Sequence, residues 1–296
     1  MKKCFWLSSY PKSGNTWLRL IICGLYFTDK GIIENFDILK KIPKFDTLDN
    51  YQFIKKISHK DYQTIFSNNK FDEAMFLNYF KYCIEAQKKI NIINGNFGFF
   101  KTHNARVKIN DNFYTDENTT AGFIYLSRDP RDIIVSYSDY LNLNYDETID
   151  FIINGQLRSY SKKQILEIPE ILLSWENHYN SWKKFTNVPN IFIKFEDLKT
   201  DIEKEIIKII NFFKDKFNIN LENQNLKIKN IIETTNFNEL KKKEKLNGFN
   251  ENAENKGSFF FRKGEINQWQ NKLSDKQKNI VLKKFKNELK QLKYTL

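Results

Sequence analysis

Apolar residues in this chain fall into two patterns: short continuous runs, and longer segments in which they recur every three or four positions. Runs at 3–8, 98–102, 122–127 and 190–195 predict four strands. The last three have the uninterrupted apolar character of strands buried on both faces of a parallel sheet. Helix-period segments at 16–26, 129–143, 170–185, 202–213, 236–243 and 274–292 separate or follow the strands. Asp129-Pro130 is a well-formed helix start, with Asp129 as N-cap and Pro130 at the first helical position, and Ser274-Asp275 opens the last helix in the same style. Alternation of this kind predicts an α/β fold: a single domain, 1–296, with a central parallel sheet flanked by helices. Three stretches fit the alternation less well, at about 31–94, 139–169 and 241–258. Insertions between sheet strands commonly build the walls and lids of a site, and that is the role expected of them.

Composition narrows the picture only modestly. With 296 residues, 41% hydrophobic and 16% aromatic, the chain can bury a sizeable core and is not disordered. Its formal charge of +12 would suit nucleic acid, an anionic surface or a polyanionic small substrate. Many lysines, however, sit on amphipathic helical segments such as 276–293, where they read as a solvated face. Three cysteines, Cys4, Cys23 and Cys83, show neither paired nor metal-ligand spacing and point to a reducing compartment. The apolar run after Met1-Lys2-Lys3 stops by Ser8, too soon for a signal peptide. Nothing approaches the ~18–20 apolar residues of a membrane span, and the expected localisation is cytoplasmic.

The chemistry concentrates first in Ser9-Tyr10-Pro11-Lys12-Ser13-Gly14-Asn15-Thr16-Trp17. An apolar run precedes this segment and a helix-period run follows it, so it is a loop between a strand and a helix N-terminus. Backbone N–H groups, hydroxyls and a lysine meet there, which favours an anion. The result is a P-loop-like phosphate cradle, although its lysine precedes the glycine, unlike G-x-x-x-x-G-K-[ST]. Three more segments follow: Lys101-Thr102-His103; Tyr125-Leu126-Ser127-Arg128-Asp129-Pro130-Arg131-Asp132 through Ser136; and Phe261-Arg262-Lys263-Gly264. In this order the four resemble the sulfotransferases that use 3′-phosphoadenosine-5′-phosphosulfate (PAPS), in particular the soluble, cytosolic type. The resemblance runs from the first strand to the last helix.

Sulfuryl transfer needs a base for the incoming group, positive charge for the sulfuryl oxygens and help for the leaving phosphate oxygen. Histidine suits the first task and lysines the others. The resemblance implies His103 as base, Lys12 as phosphate clamp and leaving-group acid, and Lys101 as partner of the transferring group, with Ser136 beside them. It further implies Arg128 and Ser136 on the 3′-phosphate, with Ser13, Gly14, Asn15 and Thr16 in the cradle. Arg262, Lys263 and Gly264 would form a second phosphate segment, and Trp17, Phe237 and Thr235 would hold the adenine. PAPS is thus the implied co-substrate, with PAP (its desulfated form) as product and no metal. The implied partner is a small-molecule or glycan acceptor with a hydroxyl or amine; no nucleic acid is expected, and the chain should be a monomer or weak dimer. His178 reads as helix packing and His59 as surface or pocket rim.

The sequence also departs from the family pattern. Where Gly-Asp-Trp usually closes the last motif, Asn267-Gln268-Trp269 stands here. Leu273-Ser274-Asp275 replaces a Thr-Val pair of the family's dimer segment, and Phe195 replaces a tyrosine before Glu-Asp. Three other readings stay open from the residues alone: a basic nucleic-acid-binding protein, a P-loop phosphotransferase, or a non-catalytic PAP-binding protein.

Overall fold

Strand β1 (Lys3–Ser9) leads through a five-residue turn into helix α1 (Asn15–Tyr26). Short 3-10 turns at Phe36–Lys41 and Leu48–Tyr51 follow, then α2 (Cys83–Lys89), β2 (Phe97–Thr102) and the small hairpin β3 (Lys108–Ile109) and β4 (Asn112–Phe113). The chain continues through β5 (Thr120–Ser127), α3 (Pro130–Leu141), α4 (Tyr145–Asn154), β6 (Gln156–Arg158), β7 (Glu170–Leu173) and α5 (Trp175–Lys183). Next come β8 (Asn190–Lys194), α6 (Phe195–Thr200), α7 (Ile202–Phe217), α8 (Gln224–Thr235) and α9 (Phe237–Asn247). The chain closes with α10 (Trp269–Lys272) and α11 (Asp275–Gln291). This computed structural model describes residues 2–53, 77, 79–90, 92, 95–158, 168–249 and 259–296. The expected lid stretches lie partly outside the described residues, and His59 wholly so.

The central sheet is parallel, in the order β2-β1-β5-β8, as the four apolar runs predict. Because successive residues of a strand face opposite ways, β1 feeds two cores. Cys4 and Trp6 join Phe123 and Tyr125 of β5 beneath α3, α5 and α11, while Phe5 and Leu7 join Ile124 and Leu126 beneath α1, α7 and α8. The second core is dense in phenylalanine: the Phe5 ring lies 4.9 Å from Phe213 and 5.2 Å from Phe99. Edge and tilted packings of this kind suit aromatic quadrupoles.

The helix starts follow the sequence closely. Asp129 caps α3 by accepting the Arg131 N–H, with Pro130 in the first turn, and Ser274 forms a capping box with Gln277. Three expectations need correction. The predicted helix over 170–185 is a strand followed by a helix. Residues Glu170–Leu173 pair with β6, Leu173 takes φ 57°, and Ser174 caps a helix that begins only at Trp175. The helix predicted to end at Phe213 runs on to Phe217, where Asn218 in the left-handed region closes it. The start of the loop-like stretch 241–258 is the last part of α9, which reaches Asn247.

Candidate active site

The site begins where sheet order reverses. From β1 the chain goes to β2 on one side, then crosses to β5 on the other, which opens a crevice at the carboxyl ends of the strands. The turn after β1 occupies that crevice. Lys12 (φ 67°) and Gly14 (φ 93°) both take left-handed backbone, and Gly14 is the N-cap of α1. A Cβ on Gly14 would lie 2.6 Å from Phe195 Cδ2, so the turn can seat against α6 only as glycine. Asn15 ties the turn down, donating from Nδ2 to the Leu7 carbonyl and to Ser9 Oγ, each at 3.1 Å. The positive end of the α1 dipole therefore faces the crevice.

A cavity of about 410 Å³ opens here. Its walls bring together Lys12, Gly14, Asn15, Thr16, Trp17, Lys101, His103, Arg128, Ser136, Thr235, Phe237, Arg262, Lys263 and Gly264. These residues are spread over more than 250 positions of sequence. Ser13 is the one sequence-predicted site residue that does not line it; its side chain is wholly buried beneath the turn, with no hydrogen-bond partner for Oγ. Seven cationic side chains line the cavity (Lys12, Lys44, Lys101, Arg128, Lys199, Arg262 and Lys263), and no Asp or Glu does so among the described residues.

Lys12, Arg128 and Arg262 are set by their surroundings. The Lys12 ammonium sits 4.5 Å from the Tyr140 ring centre and 4.7 Å from that of Phe260, between two aromatic faces. Arg128, buried at the end of β5, donates to the Lys12 and Glu265 carbonyls at 3.0 and 2.9 Å, and its plane lies over Phe195 at 4.4 Å. Burial draws its pKa down, while Asp132, Glu196 and Asp129 oppose that shift. Arg262 pairs with Asp139. On the aromatic side, Trp17 donates to Thr235 Oγ1 at 3.3 Å. Phe237 closes against Gly264, where a Cβ would stand 2.3 Å from its ring.

His103 follows β2 directly and is 5% exposed, at the cavity wall. Its Nδ1 lies 2.7 Å from the Ser9 carbonyl oxygen. A carbonyl oxygen only accepts, so Nδ1 carries the proton and Nε2 is the ring's acceptor atom. In the neutral form of the ring, Nε2 is thus the atom able to accept a proton.

Several residues of the site escape sequence reasoning. Lys44 lines the cavity and lies 3.3 Å from Glu170, whose carboxylate is fully buried. Asp46, also buried, accepts from Thr102 Oγ1 at 3.0 Å; burial and the Glu170 charge push its carboxyl up. Glu244 of α9 accepts the Phe260 and Phe261 N–H groups at 2.5 and 2.9 Å and so holds the second basic segment. Asp132 of α3 accepts from the Asn267 and Trp269 N–H groups at 2.7 and 3.2 Å. The altered turn keeps a left-handed residue: Asn267, standing where the family pattern has glycine, takes φ 62°, which asparagine tolerates better than other side chains. Of these, Asp132 stands within the third motif and Phe260 lies beside the basic segment, and those positions were the local signals available.

This fold and this cavity define an α/β nucleotide-site enzyme of the phosphate-cradle type. Residues 2–293 match the family model described as the sulfotransferase domain. Cytosolic sulfotransferase 15 of Arabidopsis thaliana is 27% identical, over 92% of this chain and 67% of its own length. Sulfotransferase 1E1 of Bos taurus is 28% identical, over 89% and 75%. Among solved structures, retinol dehydratase in complex with androsterone and inactive cofactor PAP superposes with a TM-score of 0.59 at 19% identity, covering 99% of this chain and 82% of that one. Mouse sulfotransferase SULT7A1 complexed with PAP gives 0.56 at 20% identity, over 99% and 88%. The chain belongs to the sulfotransferase family, whose members move a sulfuryl group from PAPS, and it shares their fold. No helix among the described residues is long and apolar enough to cross a membrane.

Proposed function

We propose that this chain transfers a sulfuryl group from PAPS to a hydroxyl or amine of a small-molecule or glycan acceptor. The observation that carries the reading is the charge of the cavity: seven lysines and arginines and no carboxylate among the described lining, beside a helix N-terminus and opposite an aromatic wall. A nucleotide with two phosphate-bearing ends and a flat base fits that distribution. Buried polar atoms without partners support the same reading: Ser13 Oγ, Asn15 Oδ1 and Arg128 Nε all lie in or under the cradle. The two solved neighbours named above were determined with PAP, one of them with androsterone as well.

PAPS, when bound, supplies the activated sulfuryl group. The cradle of Ser13 to Thr16 with Lys12 would hold its 5′ end, Arg128, Ser136, Arg262 and Lys263 its 3′-phosphate, and Trp17, Phe237 and Thr235 the base. His103 takes the acceptor's proton at Nε2 as the acceptor oxygen or nitrogen attacks sulfur. Lys12 delivers positive charge and a proton to the departing phosphate oxygen, and Lys101 faces the charge spreading over the sulfuryl oxygens. The described parts of the stretches at about 31–94, 139–169 and 241–258 would supply walls and lids of the site within one domain, 1–296.

Calorimetric titration with PAP, ATP and a single-stranded oligonucleotide tests the cofactor class. The expected outcome is micromolar or tighter PAP binding, weaker ATP binding, and loss of the PAP signal in Arg128→Ala. Heat with the oligonucleotide alone, falling steeply with salt, would instead mark a nucleic-acid-binding protein.

A further inference from the structure

His178 lies in α5, wholly buried and outside the cavity lining, yet it touches the candidate base. Its Nε2 stands 3.0 Å from the His103 carbonyl oxygen, and its Nδ1 stands 2.9 Å from the Tyr125 hydroxyl. Since the carbonyl only accepts, Nε2 carries the proton and donates. Nδ1 is then the acceptor, and Tyr125 donates to it. The surroundings keep both groups in these states. Burial pulls His178 down to about 4, against smaller opposing effects of the His103 carbonyl and the Glu170 charge, and burial holds Tyr125 protonated. The Tyr10 ring packs edge-on against the imidazole at 5.4 Å.

The other side of His103 is gripped as well. Its main-chain N–H donates to Glu170 Oε1 at 3.3 Å, and Lys44 Nζ lies 3.3 Å from the same oxygen. The segment after β2 is irregular, so these two main-chain groups have no ladder to join. A buried histidine and a buried carboxylate satisfy them instead. Both are costly residues to place in a core, where an apolar side chain would fill the volume.

We propose that Glu170 and His178 are positioning residues for His103, holding its main-chain N–H and C=O from opposite sides so that the imidazole meets the acceptor in one orientation. With Ser9 fixing ring Nδ1, the base is held from β1, β7 and α5 together. The proposal rests on the reading of His103 as the base.

The test compares full-length His178→Phe, His178→Gln and Glu170→Gln with the parent enzyme, using PAPS and a simple phenol as the probe acceptor. Phenylalanine removes the donor, and a displaced base should cost about 10- to 100-fold in kcat. KM for PAPS and the affinity for PAP should stay within about twofold, because the donor half is untouched. Glutamine retains an N–H at the Nε2 position and should recover most of the loss. Glu170→Gln keeps an acceptor oxygen for the His103 N–H and should fall between these two. Ring-nitrogen NMR gives a readout besides activity, and with three histidines in the chain the signals are few. His103 should show a single Nδ1–H tautomer in the parent and a mixture in His178→Phe. The proposal is overturned if His178→Phe keeps the parent kcat, if glutamine is as impaired as phenylalanine, or if PAP affinity falls in step with kcat. Should His103→Ala transfer as fast as the parent, the base assignment itself fails. The tautomer spectra would then still decide whether these two residues hold the ring.

Discussion

Single positions in this site are constrained by backbone shape as much as by chemistry. Gly264 is the clearest: its φ of 60° and the Phe237 ring against it leave no room for a methyl group. Gly264→Ala should introduce about 1–2 kcal/mol of left-handed strain and displace Phe237 from the wall proposed to hold the adenine. The expected result is PAP binding weakened about tenfold, read by calorimetry, with the melting temperature lowered by a few degrees. Unchanged affinity would mean that Phe237 does not form that wall. Asn267 makes the complementary point. It occupies the left-handed position that glycine holds in the family pattern, and Asp132 secures the N–H groups of Asn267 and Trp269. The sequence marks the change as a loss; the backbone angle shows that a left-handed turn stands at this position all the same.

Between elements, the joint beneath Arg128 ties three parts of the fold. Glu196 of α6 accepts the Asp129 N–H at 2.9 Å and the Tyr294 hydroxyl at 3.0 Å, so the start of α3, the start of α6 and the last residues of the chain meet at one carboxyl. Burial raises Glu196 to about 7 from its ordinary 4.5. Between these values the folded protein retains a proton that the unfolded chain has released. This group's contribution to stability is therefore greatest below about 4.5 and is lost as pH rises through about 7. Glu196→Gln cannot release that proton. Its melting temperature relative to the parent should improve between pH 5 and pH 8, measured by scanning calorimetry; a constant difference would show that the carboxyl does not titrate in that window. Elements were also where the sequence was most and least legible. The four strands and the caps at Asp129 and Ser274 stood out because apolar runs and cap chemistry are local signals. The four motifs and the Thr235–Phe237 segment bring fourteen of the expected residues to one cavity, and most of the motif residues sit at a strand end or helix start. Glu170–Leu173 did not stand out: its pairing with β6 is a contact between distant segments, and its apolar character merges into the helix beyond. The Lys44–Glu170 and His103–His178 contacts were invisible for the same reason.

At the scale of the whole molecule, the formal charge of +12 and the seven cations of the cavity act together on anionic ligands. Salt shortens the reach of that field from about 30 Å at 0.01 M to about 3 Å at 1 M. PAP affinity should accordingly fall steadily with added sodium chloride, whereas neutral adenosine, bound through Trp17 and Phe237 alone, should respond little. Parallel salt curves for the two ligands would refute an electrostatic basis for recognition. The sheet adds a constraint of another kind. The side chains of β1 pointing one way support the aromatic wall of Trp17 and Phe237, and those pointing the other way support the side on which Tyr140 and Tyr51 lie. One strand thus serves as a partition between two separately packed halves. Substitutions that resize one core should therefore leave the packing of the other unchanged, and exchanging the side chains of only one face of β1 is the direct way to see that independence.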